Sequence, residues 1–197
     1  IIFHDHKGDG RRILNVRPTG TAVFQPGQEP VNPYAPVGQA DSFWWGISGE
    51  VGKAFNLHPE TWPEKVAILS RLGRGCKPGD PFPSVNDIEK ILRHIAKKEG
   101  RPKLRTCAAA LATLASLLGK AARIRRAPKI SDRYRIIVYE HQVLPPRIQR
   151  LIAALRLLRL QMDVTSQGGE CVLLRLIISD EGAMEFGKEL NQAAGSG

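Results

Sequence analysis

The chain contains few of the residues that build cross-linked or metal-bound proteins. Its three cysteines, Cys76, Cys107 and Cys171, lie far apart in the sequence of 197 residues. This odd, dispersed set predicts neither a disulfide framework nor a zinc site. Cys107 and Cys171 lie in apolar runs, so they are interpreted as small core residues, and a reducing compartment is expected.

The chain also lacks long hydrophobic runs and a leader. No stretch approaches the roughly 18 apolar residues of a membrane span. The sequence opens Ile1-Ile2-Phe3, without the charged and apolar regions of a signal peptide. An intracellular location or a virion interior is therefore expected, with no signal peptide or transmembrane segment.

The sequence motifs of several enzyme classes do not occur. There is no Walker-type phosphate loop, no nucleophile elbow and no His-Glu-x-x-His sequence. The 19 acidic residues are scattered, which disfavours a site of two carboxylates or two metals. A catalytic set that meets only in space stays open, but the sequence predicts no catalytic residue and no cofactor, and no motif indicates a family.

One pair of residues has the spacing of metal ligands. His4 and His6 are two apart, so on a strand both side chains would point to the same side. They lie at a chain end with no third ligand fixed by the sequence. We therefore favour an ordinary terminus and predict no metal.

Positive charge is abundant and local. Lysine and arginine number 29, and the chain carries a formal net charge of +10. Residues 93–135 hold thirteen basic and two acidic residues, so this segment accounts for the whole excess. An uncharged stretch at 106–119 separates two basic clusters. We interpret the clusters as a surface for a polyanion; the alternative is a solvated basic face without a partner.

The candidate contacts include a basic, glycine-containing loop at 71–79, which is otherwise an ordinary connection between helices. The candidate nucleic-acid-binding residues are Arg93, Lys97, Lys98, Arg101, Lys103, Arg105, Lys120, Arg123, Arg125, Arg126 and Lys129, with Arg71, Arg74 and Lys77 of this loop.

Aromatic residues cluster at Phe43, Trp44 and Trp45. They follow a proline-spaced stretch at 25–38 that favours extended backbone. We take the three as a candidate interface for self-association. The alternative is that they anchor the segment to its own core. The glycines at 46, 49 and 52 resemble a nucleotide loop only loosely, because no strand is predicted before them.

Helical signals are clearest in the middle of the chain. Thr61 and Ser84 each begin a helix with a capping sequence, and Pro102 begins a third helix that is expected to reach residue 126. Apolar residues from Val85 to Ile95 recur at intervals of three and four, which predicts one buried face.

Strand signals flank this region. Strands are predicted at 12–16, 21–24 and 134–139, and a helix from Pro146. A β-hairpin is predicted from 162–165 and 171–178 around Gln167-Gly168-Gly169, with a last helix from Asp180.

Together these patterns predict an α+β protein. An extended Pro/Gly-rich N-terminal arm with short strands spans 1–58, a small helical bundle spans 59–127, and a β-α-β-β-α sandwich-like unit spans 128–197. The predicted function is non-enzymatic binding of RNA or DNA, as in a self-associating viral nucleocapsid or matrix-type component. An anionic membrane surface is a further expected partner. The alternative function is a module for a small-molecule ligand or a protein, built on the C-terminal part.

Overall fold

The computed structural model describes ten stretches of the chain. They are residues 2–5, 12–16, 19–25, 28, 32–35, 40–77, 80–126, 136–140, 144–166 and 177–179. Their elements are β1 (Ile2–Asp5), α1 (Ile13–Val16), β2 (Thr21–Phe24), α2 (Ala40–Phe55), a 3-10 helix (Pro59–Thr61), α3 (Trp62–Leu72), α4 (Val85–Lys98), α5 (Pro102–Leu118), a second 3-10 helix (Gly119–Arg123), β3 (Ile136–Glu140), α6 (Pro146–Ser166) and β4 (Ile177–Ser179). The broad prediction of a chain that mixes helices and strands is confirmed.

The chain forms two compact units, each assembled from separated segments. The first combines 1–26, 129–154 and 172–197, and the second combines 27–128 and 155–171. Their borders follow spatial contacts. The division into three consecutive segments stays a prediction.

The first unit holds a four-stranded sheet in the order β2-β3-β1-β4. All three neighbouring pairs are parallel. Parallel strands are usually buried on both faces and are rich in branched apolar residues. The run Ile136-Ile137-Val138 fits this rule, since Ile137 and Val138 are buried. The carboxyl ends of the strands therefore lie along one edge of the sheet.

The parallel sheet corrects the predicted C-terminal arrangement. Residues 162–165 lie in α6, and β4 pairs in parallel with β1. The predicted β-hairpin is wrong, because a two-residue turn joins only antiparallel strands and parallel neighbours need a crossover. The predicted final helix from Asp180 lies outside the described residues.

Helices dominate the second unit, and the predicted starts of α4 and α5 are confirmed. The helix α3 follows Thr61 as predicted, but Thr61 closes a 3-10 helix and makes no side-chain capping bond. Ser84 caps α4, where its Oγ accepts a hydrogen bond from the Asp87 amide at 3.2 Å. The Asp87 carboxylate in turn accepts one from the Ser84 amide at 3.0 Å. These reciprocal bonds satisfy donors that the first turn leaves free. Ile88 and Leu92 of this helix are fully buried.

Three expectations for the helices and their boundaries are wrong. Residues 40–55 form α2 instead of an extended arm, and residues 13–16 form the short α1 instead of a strand. The third helix ends at Leu118 and a 3-10 helix follows it, so it does not continue to residue 126.

Glycines let aromatic rings approach α2 and the end of α3. A Cβ on Gly52 would lie 2.6 Å from Nε1 of Trp62, and a Cβ on Gly73 would lie 2.7 Å from Cζ2 of Trp44. Such distances leave no room for a methyl group. The glycine spacing in α2 therefore serves helix packing.

No helix within the described stretches is both long and apolar enough to cross a membrane.

Candidate functional site

The carboxyl edge of the parallel sheet brings together residues that are distant in the sequence. The last residues of β1 and β3, Asp5 and Glu140, are partners in the strand register. On the other side of β3, Phe24 is the partner of Tyr139, and Gln25 follows it directly. In open α/β sheets, ligands bind beyond this edge. We therefore regard it as the candidate site.

Glu140 is the buried ionisable group of this edge. It is only 2% exposed, and Nε2 of Gln25 donates a hydrogen bond to its Oε2 at 3.4 Å. A buried carboxylate requires such donors, because removal from water otherwise penalises its charge. A carboxylate held in this way can accept a proton from a bound water molecule or hydroxyl group.

An aromatic contact fixes the neighbouring register. The rings of Phe24 and Tyr139 stack with their centroids 5.9 Å apart and their planes 28° apart. Because the two rings belong to paired residues, their contact opposes slippage of β2 along β3. The residues that follow, Gln25 and Glu140, are thereby held opposite each other.

Sequence reasoning missed this edge because it treated the acids as scattered. The available signal was local: the runs Ile1-Ile2-Phe3-His4-Asp5 and Ile136-Ile137-Val138-Tyr139-Glu140 are both apolar and both end in an acid. Only the pairing of the two strands makes those acids neighbours.

The spacing of His4 and His6 as a pair is not tested by the described residues. His4 lies in β1, and His6 lies outside the described residues. Within the described part of the chain, no three or more His, Cys, Asp or Glu side chains are grouped as metal ligands.

Several of the predicted basic contacts pair with acids of the second unit. Arg93 pairs with Glu89, Arg101 with Glu99 at 2.8 Å, Lys103 with Glu60 at 3.0 Å, and Arg125 with Asp87 at 2.8 Å. Two of these acids come from elements remote in the sequence, so the local charge excess is partly balanced in space.

The remaining members of the basic set are exposed. They are Lys97, Lys98, Arg105, Lys120, Arg123 and Arg126, with Arg71 in the last turn of α3 and Arg74 and Lys77 of the loop after it. Lys129 lies outside the described residues. Their contact with a polyanion stays an untested prediction.

The aromatic cluster is divided between the interior and the surface. Phe43 and Trp44 are each 1% exposed, whereas Trp45 is 46% exposed. Nε1 of Trp44 donates to the carbonyl oxygen of Tyr34 at 3.2 Å, and its ring stacks on Phe82 at a centroid distance of 5.4 Å. The predicted interface stays untested, with Trp45 as the member that presents surface.

The backbone before α2 is fastened by Asn32. This residue is fully buried, and its Nδ2 donates to the carbonyl oxygens of Phe82 at 3.0 Å and Pro83 at 3.1 Å. Its own carbonyl oxygen accepts a bond from Nη1 of Arg159 at 3.0 Å. Asn32, Tyr34 and Ala35 are thus part of the second unit's interior, where these bonds pair the polar groups of Asn32.

A lysine lies in the same interior. Lys65 of α3 is 1% exposed, and its Nζ is 5.3 Å from the centroid of the Tyr34 ring. Burial lowers the pKa of Lys65 to about 8, and the nearby Cys107 opposes this shift. Burial also raises the pKa of Tyr34, whose hydroxyl has no hydrogen-bond partner among the described residues. Lys65 was not singled out from the sequence. The spacing of residues 62, 65, 66 and 69 is the signal that could have placed Lys65 on a buried helix face.

No protein-family model matches the chain, and no curated protein matches it. Among solved structures, the fold is similar to that of VirB4 of Thermoanaerobacter pseudethanolicus, with a TM-score of 0.67. The superposition covers 93% of this chain and 75% of that chain, at 11% sequence identity. At this identity the likeness concerns the fold.

This similarity corrects the predicted function. VirB4 is a type IV secretion ATPase, and the likeness points away from a non-enzymatic nucleic-acid-binding or virion structural protein. That prediction is wrong. The alternative was a ligand-binding or protein-interaction module built on the C-terminal part. Because β3 pairs with the N-terminal strands β1 and β2, the sheet of such a module would include N-terminal strands.

Proposed function

We propose that this chain forms part of a nucleotide-hydrolysing motor of the secretion-ATPase type. The observation that carries the proposal is the fold shared with VirB4 across 93% of the chain. A parallel sheet with an ionisable edge is compatible with this function, because such sheets bind ligands beyond the carboxyl ends of their strands.

Glu140 is the residue to which we assign the chemistry. In hydrolysis of a nucleoside triphosphate, a water oxygen forms a bond to the γ-phosphorus while the bond to the β-phosphate bridging oxygen breaks. The attacking water loses a proton, which the Glu140 carboxylate accepts and then passes to the released phosphate or to solvent. The burial of Glu140 and its bond from Gln25 support this role.

The phosphate groups of the nucleotide require donors in addition. The sequence contains no Gly-x-x-x-x-Gly-Lys-Ser/Thr loop, the usual cradle for triphosphates. The proposal therefore assigns phosphate binding to residues that do not form a loop of that kind. It assigns activation of the attacking water to the carboxyl edge of the sheet.

The helical unit belongs to the same proposal. We infer that it is a small bundle with residues 32–35 packed against it, because Asn32 and Tyr34 are buried and Asn32 is bonded to the loop before α4.

The test is ATP hydrolysis by the full-length natural protein, measured as phosphate release. We expect hydrolysis by the wild type, and a fall in kcat of about a hundredfold or more for Glu140→Gln, since general-base catalysis contributes about 10²–10⁴. Binding of a fluorescent ATP analogue should be retained.

The matched control is Glu50→Gln, which removes a carboxylate that pairs with Lys53 in α2. It should leave hydrolysis unchanged. Absence of hydrolysis in the wild type, or normal hydrolysis by Glu140→Gln, would overturn the proposal.

A further inference from the structure

We propose that Gln25 is a positioning residue that holds the Glu140 carboxylate for proton transfer during nucleotide hydrolysis. This inference rests on the function proposed above. It assigns a task to the residue that follows β2, whose side chain does not contact the reacting phosphate in this scheme.

The geometry of the edge carries the inference. Nε2 of Gln25 donates to Oε2 of Glu140 at 3.4 Å, which is near the long limit for a hydrogen bond. Hydrogen bonds at catalytic groups are often long in the unliganded protein and tighten with substrate. The bond is therefore suited to guide the carboxylate while leaving it free to adjust.

The backbone around Gln25 is held in register. Phe24 is paired with Tyr139 and stacks on its ring, so the chain leaves β2 at a fixed height relative to the end of β3. Only the three side-chain torsions of Gln25 have to be fixed to place its amide, because the backbone before it is already held by the strand. Its amide hence reaches Glu140 from a rigid base, as positioning of a catalytic group requires.

The amide donor affects the reaction through Glu140. During the step described above, Glu140 changes from a carboxylate to a carboxylic acid as it takes the proton of water. A neutral amide donor restrains the orientation of the carboxyl group through this change. Gln25 itself gains and loses no proton, so the balance of the reaction is unaltered.

The direct test replaces Gln25 by methionine, which has a similar length and no amide. We expect Gln25→Met to lower kcat of the full-length protein about tenfold, as for the loss of one hydrogen bond to a charged group. KM and the affinity for the fluorescent ATP analogue should change by less than about threefold.

A second variant keeps the test independent of packing. Gln25→Glu preserves size but replaces the amide donor by a carboxylate, so it should lower kcat further than Gln25→Met does. The exposed Gln28 provides the matched control, since Gln28→Met makes the same substitution three residues later and should leave both kcat and KM unchanged.

The outcomes separate this inference from the proposed function. A wild type that does not hydrolyse ATP overturns both. A wild type that hydrolyses ATP through Glu140, with an unchanged kcat in both Gln25 variants, overturns the positioning role alone. A loss of activity in Gln25→Met that comes with weakened binding of the fluorescent ATP analogue and a lowered melting temperature would show a structural role and likewise overturn it.

Discussion

Replacement of Lys65 by methionine provides a quantitative test of the helical unit. The ammonium group of Lys65 is buried against Tyr34 and beside Cys107, and burial lowers its pKa from 10.5 to about 8. Each pH unit between the folded and unfolded values corresponds to about 1.4 kcal/mol. Below pH 8 the lysine is charged in both states, and the folded protein therefore carries a penalty of about 3 kcal/mol.

The sign of the pH dependence follows from the lowered pKa. Between pH 8 and 10.5 the unfolded chain binds more protons at this site than the folded chain, so stability rises with pH through this window. Lys65→Met removes the ionisable group and fills a similar volume. We expect it to stabilise the unit at pH 7 by about 1–3 kcal/mol, the lower bound allowing for the lost contact between the cation and the Tyr34 ring.

The assay is urea unfolding of the two proteins at pH 7, 8, 9 and 10. The difference in unfolding free energy should be largest at pH 7–8 and should shrink toward pH 10. Lys53→Met is the matched control, because Lys53 is 70% exposed and its replacement should change stability by less than about 0.5 kcal/mol at every pH. A difference that does not vary with pH, or a destabilised Lys65→Met at pH 7, would refute the reasoning.

Three further substitutions test an ion pair and the glycine contacts of the same unit. Asp87→Asn removes the bond from Arg125 that is the main cause of the lowered pKa of Asp87, about 2 instead of 3.8. It should lower the unfolding free energy by about 1 kcal/mol at pH 7. This loss should fade in acid unfolding as the pH falls from 4 to 2, because the native carboxylate takes up a proton over that range. A loss that persists at pH 2 would contradict the assignment. Gly73→Ala forces a methyl group against the buried Trp44 ring and should cost about 2 kcal/mol or more in thermal unfolding. Gly75→Ala meets open space at a φ of +84° and should cost about 1 kcal/mol through backbone strain alone; equal losses at the two glycines would count against the steric explanation.

The predictions that succeeded rest on local signals. Ser84 and Asp87 are three residues apart, and their capping bonds form within one helical turn. The apolar spacing in α4 repeats every three or four residues, so its buried face was readable without knowledge of any partner. Strand β2 was found at its predicted bounds. Strand β3, at residues 136–140, overlaps the predicted strand at 134–139 and ends one residue later than predicted.

The predictions that failed concern partners in space. Proline spacing in 25–38 favoured extended backbone, and this pattern was carried too far into Phe43 and Trp44. These residues instead lie in a helix, α2, whose glycines leave room for the ring of Trp62 to pack against the helix backbone. The predicted hairpin assumed that a Gly-containing turn joins two strands, but the nearest partner of β4 is β1, from the other end of the chain.

The sequence by itself determined the helix starts at 84 and 102, the absence of a phosphate loop motif and the concentration of positive charge between residues 93 and 135. These properties depend on residue identity and on spacings of a few positions. The tertiary structure decided that Glu140 meets Gln25 and is the register partner of Asp5, that Arg125 is neutralised by Asp87, and that Lys65 is buried beside Tyr34. Each of these depends on which distant segments pack together, because strand register and side-chain burial are set by the whole fold and not by neighbours along the chain.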